Sequence, residues 1–334
     1  MIEERKEFKI LLCSLILLIV FFCFLSVGIG RVKLSFGEIV NVLQGNDKES
    51  LSYNIIVNLR LYRILVSMII GASLATSGSI YQSIFNNKLV SPDILGVSSG
   101  ASVGACFAIL LSLSSFMVNT FAFIFGIISV GFCLLIAYKI SFGSNMVLIL
   151  SGIAVSGFMS SMVGLLKFLA DNEFKLSEMT FWLLGDLSKV GKNEFVIILP
   201  IFIVCFIVAL ALSWRLDIIS LGRKESTVLG NDYNIFLIIY IIIATILTTT
   251  SVAICGIISW VGLIIPNIVR LLMGNSNRSV LPITALLGAL FLLIADTFAR
   301  TISPSEIPLS VITGIVGAPV FVIILFKKEK RVER

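Results

Sequence analysis

The chain has 334 residues, of which 58% are hydrophobic and 13% charged, and its mean hydropathy is +1.09. That is more apolar surface than a soluble domain could bury, so the composition reads as an integral protein of a lipid bilayer. The formal net charge is +6 and there is no histidine, which excludes His-based zinc sites, histidine-ligated haem, and Ser-His-Asp or Cys-His catalysis.

A span takes about 20 apolar residues, and about ten apolar stretches follow one another in the chain. They are Phe8–Gly28, Ile55–Tyr81, Ile94–Leu113, Phe116–Ile140, Met146–Ala170, Phe195–Trp214, Ile235–Cys255, Ile258–Met273, Val280–Thr301 and Ile307–Phe326. Little chain is left over, so the expected fold class is all-α, a polytopic membrane protein with residues 1–334 as a single transmembrane unit. Glu3, Glu4 and Glu7 spoil the basic start of a secretory signal, and Ser26-Val27-Gly28 is a weak cleavage site, so the first stretch is expected to remain as a span. An even number of spans brings both termini to one side, where roughly 15 of the 25 lysines and arginines fall. Both termini are therefore expected in the cytoplasm. No basic stripe interleaved with aromatics appears, so the charge speaks for membrane orientation and not for nucleic acid. The six cysteines lie in apolar runs without paired spacing and read as small core residues. With no G-x-x-x-x-G-K-[ST] motif, no ATP site is expected in this chain, and any ATP used in transport belongs to another subunit. No metal site is expected either.

The connections carry more information than the spans. Ser35 and Glu38 have capping-box spacing, and Ile39, Val40, Val42 and Leu43 can line one face of a short helix on the outer surface. Arg60 and Arg63, three residues apart at the start of the second span, read either as interface anchors or as a docking patch for an acidic partner. Asn86–Ser102, NNKLVSPDILGVSSGAS, is the most polar break in the apolar chain. A bilayer tolerates broken backbone only where protein or a water-filled path satisfies it, so Pro92 beside Asp93 suggests a pathway element. Gly96, Gly100 and Gly104 form two G-x-x-x-G steps, favouring close helix packing, with a substrate-lining surface as the alternative.

Between the sixth and seventh spans, Arg215–Asp232 sets Val228 and Leu229 among charges and brackets them with Gly222 and Gly230. Such a composition suits two short helices that press an apolar tip into a partner, though a solvated loop also accounts for the charges. Pro266 is expected to kink the eighth span, with Asn267 helping to satisfy the opened backbone. Asp296 and Arg300 stand at i,i+4 in the ninth span, where a local ion pair is the favoured reading over a functional intramembrane aspartate.

Taken together, LRLYRIL, GASLATSGSIYQSIFNNKLVSPDILGVSSGAS, FWLLGD, SLGRKESTVLG, GIISWVGLIIPNIVR, LLGALFLLIADTFAR and EIPLSVITGIVGAPVF occur in this order from about Leu34 to the C-terminus. This succession resembles the FecCD family, the permease subunits of ABC importers for iron-siderophores, haem and vitamin B12. The resemblance implies ten spans, a second permease subunit, and two separate ATPase subunits carrying ATP and Mg. It also implies an extracytoplasmic substrate-binding protein, a metal-chelate cargo and a place in the bacterial cell membrane. An iron(III)-siderophore is the expected cargo, with cobalamin and haem after it. On matching positions, Arg60, Arg63 and Arg300 would dock the binding protein. Leu221, Gly222, Ser226, Val228, Leu229 and Gly230, within coupling helices over 216–231, would seat in the ATPase. Asn87, Leu89, Ser144 and Asn145 would form the cytoplasmic gate.

The chain departs from the family pattern at Lys88 and Tyr62 (usually proline), Asn267 (histidine), Trp260 (phenylalanine) and Ser226 (alanine). Lys88 and Asn267 leave room for a specialised substrate or for a heterodimer of unlike permeases. The competing class is a secondary transporter with Asp296 as its ion-coupling site, which would keep transporting after loss of every ATPase.

Overall fold

The computed structural model describes residues 2–30, 32, 37, 41–42, 50–141, 143–303 and 305–332, and among these there is no strand. The expected surface helix through Ser35, Glu38, Ile39, Val40 and Leu43 lies outside the described residues, except for Val42. The elements are α1 Ile2–Gly28, α2 Tyr62–Ile84, α3 Val97–Leu110, α4 Ser115–Ser141, α5 Asn145–Phe168, α6 Glu173–Leu184 and α7 Lys192–Ala211. They continue with α8 Ser213–Ile219, α9 Arg223–Val228, α10 Tyr233–Cys255, α11 Val261–Met273, α12 Asn277–Ala299 and α13 Leu309–Val332. A helical turn at Leu51–Tyr53 and a π-helical stretch, Asn54–Leu61, lead straight into α2.

Among the described residues, seven helical segments are long and apolar enough to cross a membrane, and α3, α11 and the apolar part of α13 are shorter. Together they correspond to the ten apolar stretches of the sequence. Three expected starts move inward. α3 begins at Val97 and not Ile94, α11 at Val261 and not Ile258, and α13 at Leu309 and not Ile307. In each case irregular backbone precedes the helix, and protein atoms supply its hydrogen bonds. The sequence reading placed no element at α6, which is too short to register as a span.

α2 is central, packing against α12, α10, α11 and α7. In α10 and α12, 67% of the apolar window is buried, against 17% in α1 and α7, which places the former pair inside the bundle and the latter at its rim. Small residues set the close crossings. A Cβ added at Gly71 would lie 2.2 Å from the Gly288 oxygen, so α2 and α12 meet backbone to backbone. Hydroxyls stitch α2 to α10, with Ser77 Oγ 2.6 Å from Thr248 Oγ1 and Tyr81 OH 3.1 Å from Thr245 Oγ1. Cys106, Cys133, Cys205 and Cys255 are buried, whereas Cys13 is exposed on α1, contrary to its reading as a core residue.

Candidate functional site

At one end of the bundle the backbone between α2 and α3 leaves the helical path for about a dozen residues and is held by side chains of other elements. Asn267 Nδ2, on α11, donates to the Lys88 oxygen at 2.7 Å and to the Leu263 oxygen at 2.8 Å. Gln82, in the last turn of α2, donates to the Leu263 oxygen at 3.1 Å and the Val90 oxygen at 3.4 Å. Asp93 Oδ1 accepts from the Ser98 N–H at 2.7 Å and so caps the start of α3. Pro92 packs on Gly262, where an added Cβ would lie 2.2 Å from the proline ring.

Pro266 explains why α11 needs this company. Its missing N–H leaves the Gly262 oxygen without its helical donor. That oxygen lies over Gly78 of α2, where an added Cβ would sit only 1.8 Å away. Asn267 and Gln82 both serve the neighbouring Leu263 oxygen. The broken segment, the proline turn of α11 and the end of α2 thus form one polar junction inside an apolar bundle.

Asn87 and Leu89 are exposed at this junction, and Asn87 Oδ1 accepts from the Leu89 N–H at 2.9 Å. Asn145, at the start of α5, donates to the Ile84 oxygen at 3.3 Å and accepts from Tyr233 OH at 3.2 Å. The 144–145 turn is therefore tied to the end of α2, beside Asn87 and Leu89. Gly96 adopts φ +81°, a left-handed conformation, as the chain turns into α3. Gly100 and Gly104 lie against Ser129, Phe125 and Phe121 of α4, and Ser129 Oγ donates to the Gly96 oxygen at 2.8 Å. These glycines face a neighbouring helix and not an open path.

At the same end, α8 and α9 are two short helices joined through Gly222, whose φ is +106°. Val228 is 87% exposed, Leu229 58% and Leu221 56%, so the tip is apolar and uncovered. Ser226, within the same unit, is fully buried and takes no part in the exposed tip. Arg215 fastens the unit from beneath, donating to Asn231 Oδ1 and lying 4.9 Å over the Phe236 ring.

The opposite end carries the charges. Arg63 donates through Nε and Nη2 to Asp296, with a shortest separation of 2.7 Å, and through Nη1 to Glu306 at 3.1 Å. Arg300 approaches the same aspartate at 3.9 Å and donates to the oxygen and hydroxyl of Ser26. Arg60 donates to the Val27 and Val32 oxygens, each at 2.6 Å. Two arginines and two carboxylates make a neutral cluster around Asp296, which is fully buried. The expected Asp296–Arg300 pair is present, but the short contacts belong to Arg63. All three arginines are less than a tenth exposed and engage acceptors within the chain, so they do not stand at the surface as a ready docking patch.

A cavity of about 650 Å³ opens at this end, lined by Phe181 and Trp182 of α6 together with Glu178, Asp186, Lys189 and Glu306. Below it three irregular segments interlock, with the Asp186 N–H donating to the Cys255 oxygen at 2.8 Å and the Leu309 N–H to the Gly185 oxygen at 3.1 Å. FWLLGD is thus the end of α6 plus one strut of this crossing. Among the described residues no cluster of three or more Cys, Asp or Glu is placed to hold a metal ion. Gln82, Asn277 and Glu306 matter to these sites and carried no signal in the sequence, because their partners are remote in the chain.

Comparison with known proteins agrees with this architecture. The chain is 37% identical over 331 residues to the molybdate import system permease protein MolB of Haemophilus influenzae, covering 98% of each chain. It is 31% identical over 337 residues to the hemin transport system permease protein HmuU of Yersinia pestis, again covering 98% of each. A solved inward-facing structure, described as an ABC transporter of metal-chelate type, superposes with a TM-score of 0.87 at 37% identity, covering 95% of this chain and 98% of that one. The FecCD transport family matches residues 17–327, and the chain belongs to that family.

Proposed function

We propose that this chain is the membrane-spanning permease subunit of an ATP-driven importer of metal chelates, working by alternating access and performing no chemistry on its cargo. One observation carries the reading. The paired helices α8 and α9 present Leu221, Val228 and Leu229 to solvent at the end where the broken segment 86–96 lies. Apolar side chains facing water at a membrane protein's end need a protein partner to cover them, and a separate ATPase subunit, holding ATP and Mg, is that partner. Asn87, Leu89, Ser144 and Asn145 form the gate on the same side, which the distribution of basic residues makes the cytoplasm. Two permeases, alike or unlike, flank the path.

The binding protein delivers cargo at the opposite end. Arg60, Arg63 and Arg300 act there from beneath the surface, and a carboxylate of the binding protein reaches Arg63 only by displacing Glu306. An iron(III)-siderophore is the cargo supported by the family resemblance. Molybdate is a second reading, favoured by the relative named for molybdate import.

Reconstitution in liposomes with the ATPase and binding protein tests both levels. ATP-dependent uptake of radiolabelled iron-siderophore is expected, and ATP-dependent uptake of molybdate alone would move the cargo to the second reading. Uptake driven by an ion gradient in liposomes lacking the ATPase would overturn the ABC assignment.

A further inference from the structure

We infer that Asp217, Asn277 and Arg270 form a positioning link that carries movement of the paired helices α8 and α9 to the broken segment 86–93. The inference rests on the proposed seating of the ATPase at that helix pair. It assigns a role to three residues outside the apolar tip and outside the gate.

The link runs through hydrogen bonds from α8 to α11 and then along α11 itself. Asp217 Oδ1, on α8, accepts from the main-chain N–H of Asn277 at 2.8 Å and from its Nδ2 at 2.7 Å, at the first residue of α12. Asn277 Oδ1 in turn accepts from Arg270 Nη2 at 3.0 Å and from Ser83 Oγ at 2.9 Å. The same guanidinium nitrogen donates to Ser83 Oγ at 2.7 Å and Ser79 Oγ at 3.2 Å, both on α2. Arg270 lies three residues after Asn267 on α11, hence on one helical face. Asn267 holds the Lys88 oxygen.

Two further observations give the link its direction. Arg270 is 8% exposed and Asn277 1%, and the acceptors that hold this buried cation are neutral oxygens. A leucine would avoid burying a charge, but it would join neither α2 nor the first residue of α12, as Arg270 does. At the far end the segment is held by isolated turn bonds, such as that from the Val90 N–H to the Asn87 oxygen at 3.3 Å, and its Lys88 and Val90 oxygens accept from Asn267 and Gln82 of neighbouring helices. A shift of α8 therefore reaches the segment through side chains rather than through the lipid-facing helices.

The test uses the assembled transporter in liposomes and reads cargo moved per ATP hydrolysed. Asn277→Asp keeps the acceptor for Arg270 and the main-chain donor to Asp217, but replaces the side-chain donor by a repelling oxygen. ATP hydrolysis should continue while cargo per ATP falls on the order of tenfold. The double variant Asp217→Asn with Asn277→Asp removes the repulsion between two carboxylates while position 217 still offers an oxygen to the main-chain N–H of 277, and it should recover the ratio, which a general packing defect would not. In parallel, a cysteine at Leu89 should change its reactivity toward a water-soluble maleimide on ATP addition in the parent, and not in Asn277→Asp. An unchanged ratio in Asn277→Asp, or an equal loss in the single and double variants, overturns the link. Should Asn277→Asp not assemble, Arg270→Lys, which keeps the charge and loses the fork, decides by the same readings. Failure of the ATPase to bind the parent chain would be seen first, in co-purification, and would remove the underlying reading along with the link.

Discussion

Asn267 Nδ2 donates to the main-chain oxygen of Lys88 at 2.7 Å, although 179 positions separate the two residues. Both depart from the family pattern, asparagine standing for histidine and lysine for proline, and the structure brings the two departures into contact. The acceptor is a backbone oxygen, so any residue at 88, proline included, can supply it.

Removing the donor should loosen the junction. Asn267→Ala leaves the Lys88 oxygen without this bond, at a cost of about 1–3 kcal/mol. The expected result is a lower midpoint of thermal unfolding in detergent and faster modification of a cysteine placed at Leu89. Asn267→His combined with Lys88→Pro should retain the junction, because a neutral imidazole also donates to that oxygen.

The charge cluster at the opposite end makes a different prediction. Arg63→Ala strands the fully buried Asp296 with only the more distant Arg300, and breaking a buried pair in this way costs about 3–5 kcal/mol. Pairing Arg63→Met with Asp296→Leu should restore part of the loss, since the closely bonded pair then disappears together, while Arg300 gives up its carboxylate neighbour. Thermal unfolding of the three variants in one detergent checks the order. A secondary transporter using Asp296 would lose all transport in the double variant, whereas an ATP-driven permease would retain it in proportion to folded protein.

Gly78→Val puts a branched side chain where even a Cβ would lie 1.8 Å from the Gly262 oxygen. The helices α2 and α11 must then separate, and overpacking of this kind costs about 1–3 kcal/mol or more. Loss of the folded monomer peak in size-exclusion chromatography, set against Gly157→Val, where nothing lies within 4 Å, measures the effect.

Leu229→Asp places a carboxylate on the apolar tip. Burying it against a partner should cost at least about 2 kcal/mol and abolish co-purification of the ATPase while leaving the chain inserted in the membrane. Ser226→Ala should leave co-purification intact, because that hydroxyl is buried away from the tip and has no hydrogen-bond partner. Normal ATPase recovery with Leu229→Asp would sink the docking assignment.

Much of this arrangement was legible in the chain. Ten apolar stretches, the polar break at Asn86–Ser102 and the apolar tip at Val228 and Leu229 are local features. Hydropathy acts over about 20 residues at a time, so the sequence by itself determined the apolar helical stretches, their order and which connections carry unusual chemistry. It also set Asp296 and Arg300 one turn apart, and so offered the partner nearer in the chain.

Only the tertiary structure decided that Arg63, 233 positions away, takes the short contacts with Asp296. It likewise decided that Arg60 and Arg63 turn inward and that α3 and α11 start late. A buried charge takes whichever partner packing brings within hydrogen-bond reach, and a backbone in lipid stays irregular only where other helices supply its donors. Both depend on which helices become neighbours in space, and spacing along the chain does not record that.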